Sequence, residues 1–174
     1  MDLSLLKWLD AGGVSRLLGA MTEDEILMQA ALDEARKAAD AGEVPIGALI
    51  FDPSSKTIVS RAGNAPIGRH DASAHAEILA LRAAGEALGN YRLSGLWLYV
   101  TLEPCAMCAG AISHARIGRV IYGAPDEKGG AFDHGPKFFA QATCHWRPEV
   151  TTGVLAEESS AMLKAFFRQK RKGG

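Results

Sequence analysis

Three cysteines in 174 residues are too few to staple a small secreted fold, so a disulfide scaffold is excluded and a reducing compartment fits better. Long apolar runs are also missing. No stretch approaches the ~18 consecutive apolar residues of a membrane span. The opening segment MDLSLLKWLDAGGVSRLLGAM lacks a basic start, and Lys7, Asp10 and Arg16 interrupt its apolar residues, which makes it a poor secretory signal. The expected location is the cytoplasm. Charge bias is absent: 19 Lys and Arg against 20 Asp and Glu leave a net charge of −1, which excludes a globally basic nucleic-acid binder. Contact with nucleic acid would need a local patch. Repeats and low-complexity tracts are lacking too. What is there is ordinary globular material, with 48% hydrophobic and 22% charged residues, and its length suits one domain.

Residues 1–20 read as a loosely packed N-terminal extension and residues 21–174 as the domain. Met21 is an alternative biological start. Thr22 and Glu25 have the capping-box spacing of a helix N-terminus. Apolar Ile26, Leu27, Ala30, Ala31, Ala35 and Ala38 follow at helical spacing, and Gly42 stops them. Val44–Phe51 and Thr57–Ser60 predict a hairpin across the Asp52–Ser55 turn. Residues 64–72 predict a loop, and Ser73 predicts the cap of a helix reaching Leu88. Leu96–Leu102 predicts a buried strand, and Pro104 the first turn of a helix reaching His114. Strands at 120–122 and 150–155 and helices at 137–141 and 157–171 complete an α/β chain. The order implies a mixed sheet with helices on both faces.

Two segments carry the chemistry: His75-Ala76-Glu77, and Pro104-Cys105-Ala106-Met107-Cys108. Cys105 and Cys108 are three apart at a helix start, so they share a face, and the helix N-terminus is expected to lower the pKa of both. Two thiolates and one imidazole balance a divalent zinc and leave one tetrahedral position for water, the pattern of a catalytic site. Cys144 and His145 are adjacent, hence poorly placed to close it. His75 and Glu77 would point ~200° apart along a regular helix, so they can serve one pocket only at a helix mouth. Glu77 then fits a proton carrier beside the metal.

His-x-Glu followed by Pro-Cys-x-x-Cys resembles the signature of the zinc nucleobase deaminases. EVPIGA (43–48), NAPIGRHD (64–71), AHAEILALR (74–82), NYRL (90–93), LYVTLEPCAMCAGA (98–111) and RIGRVIYGA (116–124) narrow the resemblance to bacterial tRNA-specific adenosine deaminases of the wobble position, from about Thr22 to Arg171. The resemblance implies a three-layer α/β/α cytidine deaminase-like fold on a five-stranded mixed sheet. It implies one Zn2+ per subunit held by His75, Cys105 and Cys108, with Glu77 as proton shuttle. Asn64 would hold the target nucleoside, and Asp126 would lie near the nucleotide. The partners implied are the tRNA anticodon stem-loop and a second copy in a homodimer. The reaction implied is hydrolytic: water attacks C6 of a splayed-out adenosine, Glu77 protonates N1 and then the leaving amine, and inosine and ammonia result. The alternative is a free nucleobase or nucleoside deaminase of guanine or cytosine type. A non-enzymatic zinc-stabilised RNA-binding module would need four protein ligands. Gly129–Arg147 departs from the family pattern and is expected to border the RNA path.

Other conspicuous residues have plainer explanations. Cys144 reads as a free thiol, His114 and His134 as surface or supporting residues, and His70 as either a solvated loop residue or an RNA contact. Trp97, Tyr99, Phe138 and Phe139 read as core. Arg168, Lys170 and Arg171 end a helix where cations favour the dipole, but in a near-neutral chain they are also the best local candidates for RNA phosphates.

Overall fold

The computed structural model describes residues 21–172, and the expected extension at 1–20 lies outside them. Helix α1 (Glu23–Asp40) starts as its sequence requires: Thr22 Oγ1 accepts from Glu25 N–H at 3.2 Å, and the Glu25 carboxylate accepts from Thr22 N–H at 2.7 Å. The hairpin follows as β1 (Gly47–Asp52) and β2 (Thr57–Gly63), with the Asp52 carboxylate accepting from the Ser54 amide in the turn. Then come α2 (Pro66–Arg69), α3 (Ala76–Leu88), β3 (Trp97–Leu102), α4 (Ala106–Ala115) and β4 (Arg119–Ala124). A 3-10 turn (Phe138–Ala140), β5 (Glu149–Thr152) and α5 (Ala156–Lys172) complete the order.

The strands form one five-stranded sheet in the order β2-β1-β3-β4-β5. β1 runs antiparallel to both neighbours, whereas β3, β4 and β5 are parallel. Strand alternation splits the core in two. Ala48, Ile50, Leu98, Val100, Val120 and Tyr122 meet Ala76, Ala80, Ala109 and Ile112 of α3 and α4 on one face. Leu49, Phe51, Tyr99 and Ile121 meet Leu27, Met28 and Ala31 of α1 on the other. This is the expected mixed sheet with helices on both faces. Small residues of α3 and α4 face the sheet, and α1 meets β1 with backbone close to backbone. A Cβ on Gly47 would stand 2.0 Å from the Ala31 carbonyl oxygen.

Three local expectations change. Ser73 does not cap a helix: its amide and hydroxyl bind the Asp71 carboxylate at 2.8 and 2.7 Å, in a turn that delays α3 until Ala76. Pro104 precedes the N-cap Cys105 instead of lying inside the first turn of α4. The 64–72 loop contains the short helix α2, whose amides at Ile67 and Gly68 donate to the buried carboxylate of Glu43 at 3.2 and 2.7 Å. Among the described residues, no helix is long and apolar enough to cross a membrane.

Candidate active site

The parallel arrangement of β3 and β4 sends the chain from the carboxyl end of β3 directly into α4, and open α/β sheets place their ligands at such strand ends. Cys105 is the N-cap of α4, and Cys108 follows in its first turn. Facing them, His75 is the N-cap of α3 and Glu77 lies in its first turn. This is the helix-mouth placement that lets residues two apart serve one pocket. The Nδ1 of His75 stands 3.7 Å from Cys105 Sγ and 3.6 Å from Cys108 Sγ, and the three donor atoms lie within 4.8 Å of one another. A tetrahedral zinc with bonds of ~2.3 Å to sulfur and ~2.0 Å to nitrogen requires S···N separations of about 3.5 Å. The donor set therefore fits zinc in both chemistry and spacing. Among the described residues no fourth His, Cys, Asp or Glu joins the group.

The electrostatics of the protein groups alone differ from expectation at one residue. The Cys108 thiol beside Cys105, together with the His75 ring, holds Cys105 down to about 4. The same contact and burial push Cys108 up, so only one of the two thiols is acidified by the site alone. The hydrogen bond to Cys105 raises His75. Glu77 is 4% exposed, and burial pushes its carboxyl up to about 7, where a carboxyl can both take and give a proton at neutral pH. Asn64 lies nearby in the chain path: its Oδ1 accepts from the Ala76 amide at the start of α3 at 2.9 Å. Its NH2 group has no protein acceptor among the described residues.

Residues 21–124 match the profile of the cytidine and deoxycytidylate deaminase zinc-binding region. The chain is 52% identical over 152 residues to the tRNA-specific adenosine deaminase of Agrobacterium fabrum, covering 87% of this chain and 98% of that one. It is 45% identical over 152 residues to the protein of that name from Bacillus subtilis, covering 87% and 93%. The chain belongs to the tRNA-specific adenosine deaminases. A solved structure from a study of A-to-I editing by tRNA:A34 deaminases at the wobble position of transfer RNA superimposes with a TM-score of 0.77 at 51% identity, covering 79% of this deaminase and 98% of that chain. A guanine deaminase from Nitrosomonas europaea shares the fold, with a TM-score of 0.73 at 24% identity over 84% and 85% of the two chains. The cofactor of this deaminase is zinc, in keeping with the profile and the donor set.

The remaining candidate residues lie outside the donor cluster. Asp126 follows β4, and its Oδ1 accepts from the Lys128 and Gly129 amides at 3.1 and 3.0 Å. Arg168, Lys170 and Arg171 are exposed on the last turns of α5, with Lys170 Nζ 5.4 Å from the centre of the Phe166 ring. Cys144 is a buried thiol beside the Trp146 carbonyl, apart from the donor cluster. Tyr99 is core with Trp97 packed against the same cluster, while Phe138 and Phe139 pack against the cluster on the other face of the sheet. Two buried carboxylates that hold loops beside the site escaped sequence reasoning, Glu43 and Glu103. The signal for Glu103 was an acid ending the apolar strand LWLYVTL, directly before Pro104-Cys105.

Proposed function

We propose that this chain converts adenosine to inosine at the wobble position of tRNA anticodon loops, with release of ammonia. One observation carries the reading: a His-Cys-Cys donor set sized for zinc stands at two helix mouths beside a buried carboxyl pushed up to about 7. Close similarity to tRNA-specific adenosine deaminases over nearly the whole domain selects the substrate. His75, Cys105 and Cys108 hold the zinc. When bound, zinc lowers the pKa of a water from ~15.7 toward 7. Glu77 takes a proton from the attacking water and gives it to purine N1 as C6 becomes tetrahedral, then takes the proton of the new C6 hydroxyl and gives it to the departing amine as the C6–N bond breaks. Water and adenosine thus balance inosine and ammonia. Burial suits Glu77 to these transfers, because a carboxyl near neutrality loses little driving force in either direction.

The free NH2 of Asn64 holds the target nucleoside, and Asp126 offers its carboxylate from the loop after β4. A base in a single-stranded loop costs less to unstack than one in a duplex, which suits a pocket of this kind. Arg168, Lys170 and Arg171 meet RNA phosphates. The enzyme acts in the cytoplasm as a homodimer. Exposed Met107 on α4 and Tyr91 supply apolar surface for the second copy. The deaminase domain begins at residue 21, where the match to the family profile also begins.

The test is incubation of the zinc-loaded protein with an arginine-type anticodon stem-loop carrying adenosine at the wobble position, read by sequencing as A-to-G. Free guanine, cytosine and their nucleosides serve as parallel substrates, followed by ammonia release. Conversion of the stem-loop is expected. Turnover of the free compounds alone would overturn the reading.

A further inference from the structure

The segment 126–137, between β4 and the 3-10 turn, contains no helix or strand, yet it is gathered around one side chain. The Glu103 side chain is fully enclosed, and all its partners lie in that segment. Its Oε1 accepts from the amides of Phe132, Asp133 and His134 at 3.1, 2.9 and 3.1 Å. Its Oε2 accepts from the Asp126 amide at 3.0 Å and meets His134 Nδ1 at 2.7 Å. The fit is close: a Cβ on Gly130 would stand 2.4 Å from Glu103 Cδ. The segment also clasps the metal-ligand turn directly. The Ala131 amide donates to the Pro104 carbonyl at 2.9 Å, and Gly130 forms a β-bridge with Cys105. The Tyr122 hydroxyl donates to the Asp133 carboxylate and ties the segment to β4.

We infer that Glu103 is a positioning residue, which folds the 126–134 segment against the Cys105 turn and thereby sets Asp126 where the bound nucleotide meets it. This inference rests on the function proposed above. Glu103 touches neither substrate nor metal in this scheme. It acts through Asp126, whose amide it holds at one end while the three amides on Oε1 anchor the other.

The two oxygens make different contacts, and that difference provides a selective test. In Glu103→Gln the remaining oxygen must face the three amides, because an NH2 there would meet three donors. The new NH2 then occupies the Oε2 position and confronts the Asp126 amide, donor against donor. His134 can accommodate it by switching tautomer. The substitution therefore frees Asp126 while the 132–134 end stays held.

Zinc-loaded wild type, Glu103→Gln, Asp126→Asn and the double variant are compared on the anticodon stem-loop. Glu103→Gln is expected to raise KM about tenfold, as for loss of one charge-assisted hydrogen bond. It should keep kcat within about twofold and retain its zinc. Because Glu103 acts through Asp126, the double variant should be no worse than the worse single one. Amide hydrogen exchange on the loaded proteins should quicken at residues 126–131 in Glu103→Gln and stay slow at 132–134. Loss of zinc, a collapse of kcat at unchanged KM, multiplied effects in the double variant, or unchanged exchange would each overturn the inference. If the wild type converts only free bases, the proposed function fails, and the exchange measurement still decides whether Glu103 holds Asp126.

Discussion

Removing the zinc should make the stability of this protein fall as pH rises through neutrality, and Glu77 should be the cause. Burial pushes its carboxyl from an ordinary 4.5 up to about 7 in the folded, metal-free chain. The unfolded chain carries it at the ordinary value. Between those limits the folded state holds a proton that the unfolded state has released, so unfolding releases a proton and rising pH favours it. The contribution is fully present below pH 4.5 and lost as pH rises through about 7. A difference of about 2.5 pH units at ~1.4 kcal/mol each gives about 3.5 kcal/mol. For a chain of this size that is a change of roughly 7–14 °C in Tm. The assay is thermal unfolding of EDTA-treated protein from pH 4.5 to 8, wild type against Glu77→Gln. His75 is also raised and slopes in the same direction; the part owed to its hydrogen bond with Cys105 is common to both proteins, and the part owed to the Glu77 charge is lost with it, so the difference reports Glu77 together with its coupling to His75. The wild-type Tm should fall relative to the variant across this window. Added zinc should flatten the wild-type curve, because a nearby cation favours the carboxylate. Parallel curves without metal would refute the claim that the folded protein encloses this carboxyl.

Other substitutions test separate parts of the molecule. In the zinc-loaded enzyme, Glu77→Gln should retain metal by elemental analysis and lose at least ~10²-fold in kcat, the usual size of a general acid–base contribution; retained turnover would remove Glu77 from its role. Gly47→Ala should destabilise the fold by several kcal/mol in urea unfolding, since its Cβ would meet the Ala31 carbonyl at 2.0 Å and the Ala35 amide at 2.5 Å, both backbone atoms. Replacing Arg168, Lys170 and Arg171 together with Ala should weaken stem-loop binding and reduce the slope of log K against log salt by up to about 2, which salt-titrated binding curves would measure.

The metal site was legible because its chemistry is local. Cys105 and Cys108 lie within one helical turn, and His75 and Glu77 share another helix start, so spacing alone restricts what they can do. Thr22 and Glu25 were legible for the same reason, and the capping box forms as expected. Ser73 misled because Asp71, two residues earlier, competes for its amide and hydroxyl, and a turn forms where a cap was expected. Expected pKa lowering at Cys108 failed because the helix terminus is only one influence on it, and the hydrogen bond with Cys105, followed by burial, pushes the other way. Glu43 and Glu103 were illegible for a different reason. Apart from the His134 ring on Glu103, their partners are backbone amides more than twenty residues away, and no side-chain pattern reports a main-chain donor.

That last property has a consequence for how this fold can diversify. Glu103 recognises chiefly amide groups, which every residue except proline carries, and at 126, 132 and 133 it touches no side chain; the His134 ring is its one side-chain partner. The segment can therefore exchange most of its outward chemistry while keeping its path beside Cys105, provided that Gly130 stays small. It forms an interchangeable cassette around a fixed anchor, so new nucleotide preferences can arise there without disturbing the metal.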